Sequence, residues 1–287
     1  MYDSFHLLWE KEKNEGLPFW QIVMEEDMSE QNISKEEAFH NMTLMYQAMK
    51  DSDLAYDPAL KSNSGLSGTD GAKLHQYRAN GNMICNGFIG DVMERALKVS
   101  ESNACMKRIV AAPTAGSCGV VPAVLLTAQQ HFDLSDEEMT KALFVAGGIG
   151  GIIASRACIA GAEGGCQAEI GSASAMAAGA LAYLRDGNGE TIANAAALAL
   201  KNLLGLACDP VAGLVEVPCV KRNVIGAVNA VTSADLSLAG IQSKIPPDEV
   251  IDAMKSIGKR MDESLRETGT GGLAATPTGM EYKKRLR

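Results

Sequence analysis

The longest uncharged apolar segments of this 287-residue chain are residues 142–155, ALFVAGGIGGIIAS, and residues 170–184, IGSASAMAAGALAYL. Both fall short of the roughly 20 apolar residues that a membrane-spanning helix needs, so they predict buried helices and no membrane partner. A capping box, SDEE at 135–138, precedes the first segment and can satisfy the free N–H groups of a helix N-terminus. Because alternating strand patterns are nearly absent, we predict an all-α, mainly helical fold.

Two amphipathic helices are predicted on either side of this core. One follows a capping box at Ser34 and carries apolar residues at three- and four-residue spacing over residues 38–49. The other begins with PPDE at 246–249, and its apolar stripe runs over residues 250–265. Each helix should therefore bury one face against the core.

Loops rich in glycine and serine interrupt the helical pattern at residues 61–71 and 113–119. The first loop marks the end of an N-terminal helical segment, residues 1–59. We expect this segment to be continuous, as one domain, with a larger domain over residues 60–287.

Composition limits the classes of partner. The net charge is −9, from 35 acidic and 26 basic side chains, which argues against nucleic acid because such a partner requires a basic surface. Glu10 and Lys11 occur before any long apolar run, so no signal peptide is expected and the protein is predicted to be cytoplasmic. A small-molecule substrate fits this composition better.

The glycine-rich stretch GGIGG at 147–151 does not match a dinucleotide-binding fingerprint. Ile153 stands where the third glycine would be, and no strand precedes the stretch. No glycine loop is followed by Lys-Ser or Lys-Thr, which argues against a P-loop nucleoside triphosphatase. We interpret these glycines as contact points between packed helices.

Seven cysteines form no C-x-x-C pair, which excludes a zinc ribbon and a ferredoxin-type run. Their odd number in a reducing compartment leaves metal binding, reactivity or plain burial open, and spacing alone favours burial. Cys166, Cys208 and Cys219 differ from the others, since they lie in loops at the ends of helical segments beside glycine or proline.

The cysteine-bearing and glycine-rich segments closely resemble, in the same order, the signature segments of the iron-sulfur-dependent L-serine dehydratase family. These are SGLSG at 64–68, PTAGSCG at 113–119, GAEGGCQ at 161–167, CDPVAG at 208–213, VPC at 217–219 and ETGTGGLA at 267–274. The resemblance covers residues 60–275 or so and identifies residues 60–287 as a cluster-binding catalytic domain.

The resemblance implies a lyase that converts L-serine to pyruvate and ammonia, with Cys166, Cys208 and Cys219 as the ligands of a [4Fe-4S] cluster. Three thiolates leave one of four irons without a protein ligand, and such an iron can act as a Lewis acid on the serine hydroxyl. Cys118 is the strongest rival ligand. Three other cysteines are expected to be structural thiols: Cys85, Cys105 and Cys158.

Hydroxyl groups in the two site loops are candidates for binding the substrate carboxylate. Loops of this composition can present hydroxyls and backbone N–H groups to an anion. The candidates are Ser64, Ser67, Thr114 and Ser117.

The general base has no clear candidate in the sequence. Of the four histidines only His75 follows a candidate site loop, with Lys73 close by. Single-chain members of the family carry a Ser-Ser-His-Thr segment in an extra domain, and this chain has no Ser-Ser-His. The resemblance therefore implies the α subunit of a two-chain enzyme, in which a β subunit would carry the base. No cysteine follows Cys219, so capping of the open iron by a tail cysteine is not expected.

Three other functions remain open at this point. A related iron-sulfur lyase could act on L-cysteine or L-threonine, because such substrates differ from serine by one atom or one methyl group. A pyridoxal-phosphate dehydratase is disfavoured by the absence of a Ser-x-Lys-x-Arg-Gly segment. A non-catalytic iron-sulfur scaffold or redox sensor is the third.

Overall fold

Buried helices rich in alanine and glycine occupy the centre of the computed structural model, which describes residues 2–286. Over that range the chain forms thirteen α-helices and no β-strand, which confirms the prediction of an all-α fold. In chain order they are α1 (Phe5–Glu15), α2 (Phe19–Gln31), α3 (Lys35–Leu54), α4 (Asp70–Ala79), α5 (Phe88–Ala104), α6 (Val120–Phe132), α7 (Asp136–Arg156), α8 (Gly161–Gly164), α9 (Ser172–Leu184), α10 (Gly189–Lys201), α11 (Cys219–Leu238), α12 (Pro247–Arg260) and α13 (Pro277–Arg285).

Helix α9 is the central element, and α6, α7, α10 and α11 pack around it. Its residues from Ser172 to Ala182 are all buried, and most are Ala, Ser or Gly. Small side chains let neighbouring helix backbones approach closely. A Cβ on Gly150 would lie 3.0 Å from the Met176 sulfur, and one on Gly148 would lie 2.5 Å from a Val23 methyl. The interpretation of the GGIGG stretch as a packing surface is confirmed for Gly148 and Gly150, whereas Gly147 is exposed and a Cβ there would meet nothing within 4 Å.

The predicted helix starts are confirmed. Ser34 caps α3 by accepting from the Glu37 N–H, and Ser135 and Glu138 form a complete capping box on α7. Helix α12 begins at Pro247, as expected from the PPDE sequence.

The helix predicted from the apolar stripe over residues 250–265 is too long. Helix α12 ends at Arg260, and Met261 has extended backbone angles. Asp262 then accepts from the Ser264 N–H and starts a short 3₁₀ turn that contains Leu265. Because this local cap favours a new turn, the apolar spacing continues by coincidence after the helix has ended.

Helix α4 was not predicted, because its N-terminus has no local side-chain cap. The buried Glu101 carboxylate of α5 accepts from the N–H groups of Gly68, Asp70 and Gly71 and supplies the cap. A distant acid thus stabilises a helix that local sequence alone does not favour.

The N-terminal helices pack onto the rest of the chain, α2 and α3 against α7, and α1 against α10 and α12. The division at residue 59 stays a prediction. Within residues 2–286, no helix combines the length and the apolar character that crossing a membrane would demand.

Candidate functional site

Three cysteines from distant parts of the sequence meet in the interior. Cys166 precedes a π-helical turn, Gln167–Gly171, which leads into α9; Cys208 follows α10; and Cys219 is the first residue of α11. Their exposed fractions are 2%, 3% and 7%. The side chains of Cys166 and Cys208 are hydrogen-bonded to each other, and Cys219 lies close enough to interact electrostatically with Cys166. The structure therefore brings together the three thiols that were predicted to share a cluster.

Gln167 fixes the backbone at Cys166. Its side-chain amide donates to the carbonyls of Gly164 and Met254, and its amide oxygen accepts from the Gly205 N–H. The π-helical turn adds a residue to the helix at this point, a distortion that is frequent at functional sites. Gln167 thus holds Cys166 against the segment that precedes Cys208.

The backbone at Cys208 is paired with the C-terminal segment. The Cys208 N–H donates to Leu265 O at 2.8 Å, and the Glu267 N–H donates to Cys208 O at 2.7 Å, which forms a parallel bridge. Asp209 next to it accepts from the Leu273 N–H at 2.8 Å. The ETGTGGLA segment therefore wraps around the loop that carries Cys208.

The first turn of α11 places two more side chains at the site, because residues three and four positions apart share a helix face. Asn223 donates to the carbonyls of Cys219 and Gly116 and accepts from the Gly119 N–H. It ties the 113–119 loop to the start of α11. Arg222 contacts the Cys166 sulfur and forms an ion pair with Asp209 at 2.9 Å.

The three thiols differ in their readiness to ionise. The hydrogen bond from Cys208 lowers the pKa of Cys166, and the positive charge of Arg222 lowers it further. Sharing its proton with Cys166 raises the pKa of Cys208, and burial raises that of Cys219 to about 12. A bound metal cation reverses the effect of burial by stabilising thiolates directly.

A donor set made only of buried thiols is chemically suited to an iron-sulfur cluster. Within residues 2–286, no three His, Cys, Asp or Glu side chains converge tightly enough to hold a single metal ion.

Glu169 is a site residue that sequence reasoning missed. Its carboxylate lies between the 113–119 loop and α8: a Cβ on Gly116 would come within 2.9 Å of it, and one on Gly161 within 2.7 Å. Thr114 donates to it at 2.8 Å, and Cys208 lies 3.8 Å away. The signal in the sequence is an acidic residue one helical turn after Cys166 in an otherwise uncharged helix.

Burial raises the pKa of Glu169. The folded protein therefore holds this proton more tightly than the unfolded chain does. The resulting stabilisation is complete below the ordinary glutamate pKa and is lost as pH rises through the raised pKa. In cluster-free protein, Glu169→Gln should remove this loss, so the melting temperature of the variant relative to the unsubstituted protein should rise as pH increases above the ordinary glutamate pKa.

Glu138→Gln is the control for this prediction. Hydrogen bonds from Ser135 lower the pKa of Glu138, so its contribution to stability is constant above the ordinary glutamate pKa and is lost only as pH falls below it. The variant should therefore show no rise in relative melting temperature over the range in which Glu169→Gln does. Equal pH dependence of Glu169→Gln and the unsubstituted protein would contradict the prediction.

The four hydroxyls predicted to bind substrate are distributed over two loops near the thiols. The hydroxyl oxygens of Thr114 and Ser117 lie 3.1 Å apart, and the Thr114 hydroxyl donates to the Glu169 carboxylate. Ser64 donates to Glu216, in the segment between Cys208 and Cys219. Ser67 is buried, and its hydroxyl has no hydrogen-bond partner among the residues that the structure describes.

The two candidate bases lie on the surface of α4. The His75 side chain is 65% exposed and bonded to Glu94, and the Lys73 side chain is 73% exposed and paired with Asp70. Neither hydrogen bond leads to a cysteine of the site.

The remaining cysteines lie in different surroundings. Cys118 is fully buried, and burial raises its pKa to about 12. Cys85 is exposed, whereas Cys105 and Cys158 are half-buried.

Comparison with known proteins gives consistent matches. The family model described as serine dehydratase alpha chain matches residues 14–274. The chain is 46% identical over 290 aligned residues to a probable L-serine dehydratase alpha chain of Bacillus subtilis (strain 168), covering 100% of this chain and 95% of the relative. It is 40% identical over 276 residues to an L-serine dehydratase alpha chain of Peptoniphilus asaccharolyticus, covering 94% and 92%. An L-serine dehydratase of Helicobacter pylori (strain ATCC 700392 / 26695) is 45% identical over 184 residues, which are 63% of this chain and 40% of that protein.

Proposed function

The chain belongs to the serine dehydratase alpha chain family, and from this premise we propose that it is the cluster-bearing α subunit of an L-serine dehydratase. The proposed reaction releases pyruvate and ammonia from L-serine. The observation that supports it best is the meeting of Cys166, Cys208 and Cys219 in one buried site.

Cys166, Cys208 and Cys219 would hold the [4Fe-4S] cluster. When bound, the cluster supplies a Lewis acid that stabilises negative charge on the serine oxygen as the C–O bond breaks. The surrounding apolar helices keep bulk water away from the thiols, which strengthens every electrostatic interaction in the site. Elimination of water gives aminoacrylate, whose imine form hydrolyses to the two products.

The protein's own hydroxyls would bind and orient the substrate. Ser67 is the candidate with an unused hydrogen bond, because its buried hydroxyl has no partner within residues 2–286, and a substrate carboxylate would supply one. Ser64, Thr114 and Ser117 could contribute only by exchanging hydrogen bonds that they already make. The two loops therefore offer a carboxylate one free donor and three exchangeable ones.

The Cα proton needs a base, and we propose that a β subunit carries it. The exposed positions of His75 and Lys73, and their pairing with carboxylates, favour this over a base on α4. The names of the relatives from Bacillus subtilis and Peptoniphilus asaccharolyticus describe alpha chains, which supports a two-chain enzyme.

The experiment that tests the function is anaerobic purification with and without a co-expressed β chain. Iron, sulfide and pyruvate formation from L-serine are measured together, with L-threonine and L-cysteine assayed in parallel. Broad visible absorption with serine turnover supports the proposal. A sharp imine band would indicate a pyridoxal cofactor, and a cluster without turnover in the mixed complex would indicate a scaffold or sensor.

Exposure to air should inactivate the loaded enzyme, because three thiolates leave one iron accessible to small oxidants. We expect activity to fall as the visible absorption bleaches, and anaerobic incubation with ferrous iron and thiol to restore both. Full activity after prolonged aeration would contradict a cluster with an open iron.

A further inference from the structure

Arg222 lies at a position that connects the surroundings of all three cysteines. It is three residues after Cys219 on the same face of α11. Its guanidinium contacts the Cys166 sulfur, and it donates to the Ala207 carbonyl at 2.7 Å and pairs with Asp209 at 2.9 Å. Ala207 and Asp209 flank Cys208, so one side chain links the three segments that supply the thiols.

Asp209 orients this guanidinium. Its side chain is buried; one carboxylate oxygen pairs with Arg222, and the other accepts from the Leu273 N–H at 2.8 Å. A Cβ on Gly272 would collide with the Asp209 side chain, so the C-terminal segment is closed tightly over it. The carboxylate is therefore held by a backbone hydrogen bond on one side and faces the Arg222 guanidinium as an ion pair on the other.

We propose that Arg222 and Asp209 act as a positioning pair for the cluster, a role that rests on the proposed function. Arg222 holds the loop of Cys208 in register with the start of α11 through the Ala207 carbonyl and Asp209, and its guanidinium lies beside Cys166. Partners of metal ligands orient them and tune their charge, and their loss typically weakens metal binding by about 10–100-fold.

Lysine cannot substitute fully for arginine at this position. A guanidinium presents several donors in a rigid plane, whereas an ammonium is a point charge on a flexible stem. Simultaneous contacts to a carbonyl and a carboxylate suit the planar group, which carries several donors. Arg222→Lys should therefore keep the charge and lose part of the positioning.

The test uses the full chain, reconstituted anaerobically with iron and sulfide, and follows the release of iron to a chelator. We expect Arg222→Gln to release iron about 10–100-fold faster than the unsubstituted protein, with Arg222→Lys in between. Asp209→Asn should change the rate in the same direction. The double variant should release iron no faster than Arg222→Gln, because the two residues act as a unit.

Arg156→Gln is the matched control. Arg156 also makes a two-bond ion pair, with Asp252 at 2.9 and 2.8 Å, but on the exposed surface. The Arg156→Gln variant should release iron at the rate of the unsubstituted protein. The melting temperatures of the cluster-free variants separate a positioning role from a general loss of stability. If the rate of iron release follows the melting temperature in every variant, the proposal is overturned. If Arg222→Gln does not fold, Arg222→Lys and Asp209→Asn decide.

The outcomes for the two proposals are distinguishable. If the unsubstituted protein takes up no iron and sulfide, the proposed function fails and the positioning pair fails with it. If it holds a cluster and the Arg222 and Asp209 variants release iron at the unchanged rate, only the positioning pair is wrong.

Discussion

Replacing any one of Cys166, Cys208 and Cys219 by serine is expected to reduce bound iron and sulfide to background and to abolish serine turnover. The three thiols come from separate segments, and each is buried. A serine hydroxyl is a harder and far less acidic ligand than a thiol, so it binds iron in a cluster poorly. Iron and sulfide analysis, visible absorption and a pyruvate assay measure the effect.

The controls are the cysteines outside the site. Cys85→Ser, Cys105→Ser and Cys158→Ser should keep both colour and activity, because these residues are exposed or half-buried and were not predicted as ligands. Cys118→Ser tests the rival assignment. A cluster that survives loss of one of the three proposed ligands but not loss of Cys118 would overturn the ligand set.

The α chain alone is expected to bind the cluster fully and to turn over serine about 10²–10⁴-fold more slowly than the complex with its β chain. This range is the usual contribution of a positioned general base, which we place on the β chain. The defect should appear in kcat at unchanged iron per polypeptide, because all three proposed ligands belong to this chain. Steady-state kinetics with added β chain measure the recovery.

His75→Asn and Lys73→Met are the controls for the second prediction. Both side chains are largely exposed and paired with carboxylates, so the variants in the complex should keep the activity of the unsubstituted complex. An isolated α chain that is as fast as the complex would show that the base lies within this chain.

Local sequence predicted those parts of the fold whose stability is local. The caps at Ser34 and Ser135 and the apolar residues that become α7 and α9 act over a few positions, and each was found where expected. Helix α4 was missed because its cap, Glu101, is distant in sequence. The end of α12 was misplaced because Asp262 starts a new turn that apolar spacing does not reveal.

The residues of the candidate site likewise divide into those found from the sequence and those whose contacts are distant in sequence. The family resemblance supplied the three cysteines, and the structure brings them together. Glu169, Arg222 and Gln167 were missed, since their importance lies in contacts to segments that are far away in sequence. A weak signal existed, because Glu169 follows Cys166 by three residues and Arg222 follows Cys219 by three.

The pairing of Cys208 with residues 265–267, and of Asp209 with Leu273, sets the order of events during biosynthesis. When Cys219 has just been added to the nascent chain, all three thiols have been synthesised, but the segment that encloses the second of them has not. The nascent chain therefore cannot present a finished site to the machinery that delivers iron and sulfide. Maturation requires translation to continue past Leu273.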